Sequence, residues 1–207
     1  MNDQELGVFD VISVWGHEHF DVAYRTPMVD AVETLRPTDI IYSVGINKLD
    51  WIPEIRQLDF MSVMKTNVWG FLNLLQALDL AGVEEANVVA ITSDAAWRPM
   101  RTSAVYCASK AALEMAIRVA SREYASNGWR INGVAPGKVE DTAMTEYVDK
   151  RVLDLRGWTV EAAEAYEVAS TPLGRKVTKL EVAEVVAATL FGPKAQTGEI
   201  IAVNGGR

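Results

Sequence analysis

The chain has 207 residues, 49% hydrophobic and 23% charged, with 28 Asp and Glu against 20 Lys and Arg, a net charge of −8. That composition suits one folded domain with a real core and excludes disordered and low-complexity classes. The acidic balance argues against nucleic acid, the single cysteine against a disulfide framework or multi-cysteine zinc site, and no apolar run reaches the ~18 residues of a membrane span. The opening MNDQELGVFD puts no basic stretch ahead of an apolar one, so the chain reads as cytoplasmic.

Strand-like apolar runs alternate with helical patterns, which predicts an α/β fold: a mostly parallel sheet with helices on both faces, in one domain over residues 1–207. Residues 8–14 read as a strand, Gly16 to His19 as a break, and 20–23 as a second short strand. The link is too short for a parallel crossover, so the two form a hairpin or one bent strand. His17 and His19 could share a face, but a metal site needs a third ligand; a solvated turn is the plainer reading and no metal is expected.

Pro27 suits the first turn of a helix over 27–35, and 39–44 reads as a strand ending near Gly45. Apolar residues at three- and four-residue spacing predict a long helix over 60–80, with Asn67 inside it. Residues 87–92 form a buried-type strand, followed by a loop to Ser103 and a helix over 104–126 with alanine at 104, 108, 111, 112, 116 and 120. A strand over 131–135 ends at Pro136-Gly137. Residues 138–177 read as less regular and rich in charge. Thr178 and Glu181 form a capping box that opens a helix to about residue 191, and 199–203 is the last strand.

The sharpest chemical signal is Tyr106-x-x-x-Lys110, four residues apart and so on one helix face. An ammonium beside a phenol favours the phenolate, and on this reading it lowers the pKa toward neutrality and makes an acid–base group for a hydroxyl or carbonyl. A bare Y-x-x-x-K is more often a plain surface pair. Ser93 sharpens the signal, because it ends an apolar strand at the edge where α/β sites assemble. Asparagine is a poor helix former, and a buried Asn67 amide could orient a water or Lys110. Cys107 reads as a small packing residue.

These residues, in this order and spacing, resemble the short-chain dehydrogenase/reductase family from roughly residue 7 to residue 207. Asn67, Ser93, Tyr106 and Lys110 match the family's catalytic tetrad. Tyr42-Ser43-Val44-Gly45 stands where the family has N-N-A-G, and Asp21-Val22 resembles the acidic–aliphatic pair beside the adenine. Pro136-Gly137-Lys138-Val139, followed by Thr142, resembles the segment near the nicotinamide, with one extra residue before the threonine. Pro172-Leu173-Gly174-Arg175 and 198–206 match the C-terminal pattern.

The resemblance implies hydride transfer between NAD or NADP and an alcohol or carbonyl of a small-molecule substrate. Tyr106 would pass the proton, Lys110 would lower its pKa and hold the nicotinamide ribose, Ser93 would polarise the substrate oxygen, and Asn67 would complete a proton relay. Ser43, Val44, Gly45, Pro136, Gly137, Val139 and Thr142 would line the cofactor site, together with Asp21 and Val22. Residues 140–177 would form a substrate lid, with Met144, Tyr147, Val148, Val152, Leu153, Leu155 and Trp158 lining the pocket or packing the lid down. The helices over 60–80 and 104–126 resemble the pair that dimerises in the family, so a homo-oligomer is expected.

The family opens on a strand and a T-G-x-x-x-G-x-G turn that cradles the pyrophosphate. Here the first glycines are Gly7 and Gly16, and Gly45 is next. The resemblance is therefore to a Rossmann-like sheet without the family's first strand and helix, in a family whose strand order is 3-2-1-4-5-6-7. Loss of a central strand leaves backbone groups that must close, pair with another segment or meet water, at about 1–3 kcal/mol for each one buried unpaired. Dinucleotide binding would weaken. Three functions stay open: an NAD(P) oxidoreductase, a cofactor-independent isomerase, cyclase or dehydratase using Tyr106 and Lys110, and a non-catalytic binding protein of this fold.

Overall fold

A computed structural model of the chain describes residues 21–207. The strand expected over 8–14 and the break at Gly16 to His19 lie outside these residues. Four strands form the sheet: β1 (Asp39–Tyr42), β2 (Asn87–Ile91), β3 (Arg130–Pro136) and β4 (Ile200–Val203). All pairings are parallel and the order is β1-β2-β3-β4. Successive strands are joined by crossovers that carry helix, as parallel pairing requires. Among the described residues β1 pairs on one side only, with β2.

Side-chain alternation builds a core on each face. Val88 and Ala90 of β2 and Ile131 of β3 pack on one face against three helices: α1 (Arg25–Leu35) with Met28 and Val32, α3 (Gly70–Leu80) with Phe71, Leu74, Leu75 and Leu78, and α4 (Ala104–Glu123) with Leu113 and Ile117. Val89 and Val134 point the other way, onto Val186 and Leu190 of α7 (Lys179–Leu190). Helices thus cover both faces, as expected. The capping box of α7 is complete: Thr178 Oγ1 accepts from Glu181 N at 3.1 Å, and Glu181 Oε2 accepts from Thr178 N at 2.8 Å. No helix among the described residues is long and apolar enough to cross a membrane.

Three expectations are corrected. The short strand expected at 20–23 is, over the described residues, a turn: Asp21 Oδ1 accepts from Ala23 N at 2.9 Å, and its carbonyl from Tyr24 N at 3.0 Å. An aspartate that bonds its own chain two residues on favours a turn over an extended ladder. The long helix is α2 (Gln57–Met64) running through one π turn (Lys65–Trp69) into α3. The π turn lets Asn67 face inward, wholly buried. The segment 138–177 holds two helices, α5 (Ala143–Arg156) and α6 (Val160–Ala169), each opened by a threonine that accepts from the backbone three residues on.

Candidate active site

The carboxyl ends of β1, β2 and β3 open into a cavity of about 1060 Å³, roofed by α5 and α6. This is the edge at which parallel α/β sheets bind ligands. Ser43, Val44 and Gly45 follow β1, Ser93 follows β2, Pro136 ends β3, and Gly137, Val139 and Thr142 follow it; all eight are on the cavity wall. Tyr106 and Lys110 of α4 complete it.

Ser93 and Tyr106 are both buried on this wall, and the Ser93 hydroxyl is close enough to the phenol to pull its pKa down. Ser93 Oγ also accepts from Ala95 N at 3.2 Å, which fixes its rotamer on the short turn after β2. Lys110 Nζ donates to the Ile91 carbonyl at 2.9 Å and lies 5.8 Å from the centre of the Tyr106 ring. A Cβ placed on Gly45 would stand 3.4 Å from that ammonium, so the loop after β1 passes directly over it.

The electrostatics correct the expected pKa. Burial is the main influence on Tyr106 and pushes the phenol up to about 12, against the Ser93 hydrogen bond and with the nearby Asp94 carboxylate adding to the rise. Lys110 is not among the groups that shift it, because its charge is turned toward the Ile91 carbonyl. Burial in turn pushes the Lys110 ammonium down to about 8, opposed by Glu114 one turn further along α4. The phenol is therefore protonated at neutral pH.

Asn67 is placed to position, and does not touch Tyr106 or Lys110 through any hydrogen bond. Its Oδ1 accepts from Ile46 N at 2.8 Å, and its Nδ2 donates to the Ile46 carbonyl and to Ser109 Oγ, both at 2.9 Å. It clamps the loop that carries Gly45 to α4. Asp21 and Val22 are not on the cavity wall; the Val22 carbonyl instead accepts from Asn73 Nδ2 at 2.9 Å. Of the lid residues, Met144, Val148, Val152 and Trp158 line the cavity, while Tyr147, Leu153 and Leu155 do not.

Some wall residues escaped the sequence reading, among them Asp94, Arg98, Arg101, Arg156 and Tyr166. A signal existed for one. Met144, Val148, Val152 and Arg156 recur every four residues, so the arginine continues the apolar stripe of α5. Among the described residues no group of three or more His, Cys, Asp or Glu is placed to hold a metal ion.

A family model described as Enoyl-(Acyl carrier protein) reductase matches residues 21–207. Carbonyl reductase family member 4 of Danio rerio is 32% identical over 198 residues, covering 90% of this chain and 74% of that protein. The chain belongs to the short-chain dehydrogenase/reductase family. Within it, L-xylulose reductase of Caenorhabditis elegans is 30% identical over 174 residues, covering 81% of this chain and 64% of that protein. The chain thus spans between 64% and 74% of the length of these two short-chain dehydrogenase/reductase relatives. In fold it is similar to an NAD+-bound xylitol dehydrogenase, with TM-score 0.83 and 21% identity over 90% of this chain and 76% of that one.

Proposed function

We propose that this member of an oxidoreductase family transfers hydride between NAD or NADP and a small carbonyl or alcohol, with Tyr106 as the proton donor or acceptor. The observation that carries the reading is the pair of hydroxyls, Ser93 and Tyr106, buried together at the wall of a ligand-sized cavity with Lys110 one turn behind. Two neighbouring hydroxyls on one cavity wall can both turn to one substrate oxygen.

The residues present fit a nicotinamide ribose. Gly45 leaves the space beside Lys110 Nζ open, and an ammonium donating to one carbonyl keeps two further protons for hydroxyl acceptors. Ser43, Val44, Pro136, Gly137, Val139 and Thr142 would hold the rest of that half of the dinucleotide. When bound, the nicotinamide supplies or takes hydride. Tyr106 gives its proton to the nascent alkoxide in reduction, Ser93 donates to the same oxygen, and Lys110 offers its remaining protons to the ribose hydroxyls.

Titration of the purified chain with NADH and NADPH, followed by assays on aldehydes and ketones, tests this. Saturable binding of one cofactor is expected, with turnover reduced on the order of 10²-fold or more in Tyr106→Phe and cofactor affinity unchanged. No binding at millimolar cofactor, or full turnover in Tyr106→Phe, would refute it.

The same reading includes a homo-oligomer through α2–α3 and α4. Support comes from an exposed stripe on α4 formed by Ala108, Ala111, Met115 and Val119, with Phe60, Met61 and Trp69 exposed on the neighbouring helix.

A further inference from the structure

We propose that Arg156, with Arg101 beside it, forms the anion-recognising end of the substrate cavity, and that the substrate carries a carboxylate. The inference rests on the cavity being the substrate site proposed above and narrows the substrate class.

Both arginines are on the cavity wall. The other charged residues of the wall that carry ion pairs are matched within the protein. Asp94 pairs with Arg98 at 3.1 Å. Asp149 pairs with Lys138 and, at 3.2 Å, with Lys176. Glu167 pairs with Arg207 and, at 3.4 Å, with Lys138. No carboxylate among the described residues pairs with Arg101 or Arg156. Each guanidinium instead lies over an indole, Arg101 over Trp51 at 5.1 Å and Arg156 over Trp158 at 5.0 Å.

Arg156 is half-buried, and its hydrogen bonding is incomplete. Only Nη2 donates, to the Arg101 carbonyl at 2.6 Å and more weakly to Thr102 Oγ1 at 3.4 Å. Nε is buried with no partner. A guanidinium offers five N–H groups in a fork, and a carboxylate accepts two of them side by side. Burial pushes the Arg156 pKa down, Tyr166 opposes that fall, and the like charge of Arg101 adds to it. A protein of net charge −8 holds two facing arginines here without an anion, and an anionic ligand would relieve both the repulsion and the unpaired donors.

Arg156 also braces a strained loop, since Thr102 is β-branched and sits at φ 64°. That brace uses one nitrogen of three. The position on α5 argues for a ligand role beyond it: Met144, Val148 and Val152 precede Arg156 on the stripe that lines the cavity, so a substrate would pass from apolar wall to paired arginines.

The test uses 5-oxohexanoate and its methyl ester as probes on the protein without cofactor, by calorimetry or tryptophan fluorescence. The acid is expected to bind at least ~10-fold more tightly than the ester, with the preference weakened by salt. Arg156→Gln should bring the two within about two-fold, and Arg156→Lys should keep part of the difference. Among the described residues the Arg101 side chain donates no hydrogen bond, so Arg101→Gln should reduce the preference with a melting temperature close to that of the wild type; this separates ligand recognition from the brace. Equal binding of acid and ester, no saturable binding of the acid, or a full preference in the Arg101→Gln/Arg156→Gln double variant would overturn the proposal. Tyr106→Phe should keep the preference while losing turnover, so failure of the hydride-transfer reading alone leaves the acid preference in place.

Discussion

Lys110 on α4 donates its ammonium hydrogen to the carbonyl of Ile91, the last residue of β2, over 2.9 Å. The bond ties the helix that carries Tyr106 to the strand that delivers Ser93. It also spends on a carbonyl part of the charge that a phenolate would attract.

A buried ammonium makes stability depend on pH. Lys110 has a folded pKa of about 8 against 10.5 when exposed, so between these values the folded chain binds fewer protons than the unfolded one. Its stability contribution therefore rises with pH through that window: the penalty is complete below pH 8 and gone above 10.5. Denaturant unfolding of the wild type against Lys110→Met should show the wild type gaining up to about 3 kcal/mol on the variant across the window. A difference that stays flat with pH would mean that the ammonium is not desolvated in the fold.

Asn67 saturates both backbone groups of Ile46 while holding Ser109, with its side chain wholly buried. Asn67→Leu should cost roughly 2–4 kcal/mol in urea unfolding, since three partners lose their bond at once. Asn67→Asp should be nearly as costly, because an acceptor would then face the Ile46 carbonyl. Loss of amide-exchange protection should concentrate in residues 43–50, the loop that the side chain clamps. Losses under 1 kcal/mol would show the clamp to be dispensable.

Met115 and Val119 stand out from α4 with about half of their surface in water, 58% and 47%. Light scattering should find the wild type as an oligomer, and Met115→Glu with Val119→Glu should shift it to monomer, because two buried carboxylates without partners oppose association. The folded monomer should keep its far-ultraviolet circular dichroism. A monomeric wild type would remove the proposed interface.

Much of the site was legible because its signals are local. The four-residue interval from Tyr106 to Lys110 guarantees one helix face, and the Thr178–Glu181 box needs only backbone geometry to form. The strand ends at Gly45, Ser93 and Pro136 were marked by where apolar runs stop. The turn at Asp21 was misread because apolar neighbours outweighed a carboxylate that bonds its own chain. Helices α5 and α6 were missed because their charge-rich faces conceal a narrow apolar stripe, and a stripe has meaning only once a cavity lies against it.

Spacing along the chain was sufficient to put Tyr106 and Lys110 on one helix face and to give the parallel α/β plan and the strands that end at the cavity, since periodicity and turn chemistry act over a few residues. Burial, and the direction in which each charge points, depend on segments far apart in the chain, and only folding brought them together. Packing raised the Tyr106 phenol where proximity to Lys110 alone argued for lowering it, assigned the amide of Asn67 to Ile46 and Ser109, and left Arg101 and Arg156 without a carboxylate partner among the described residues. Desolvation is the reason in each case: it scales with the atoms packed around a group, and those atoms come from elements far away in sequence.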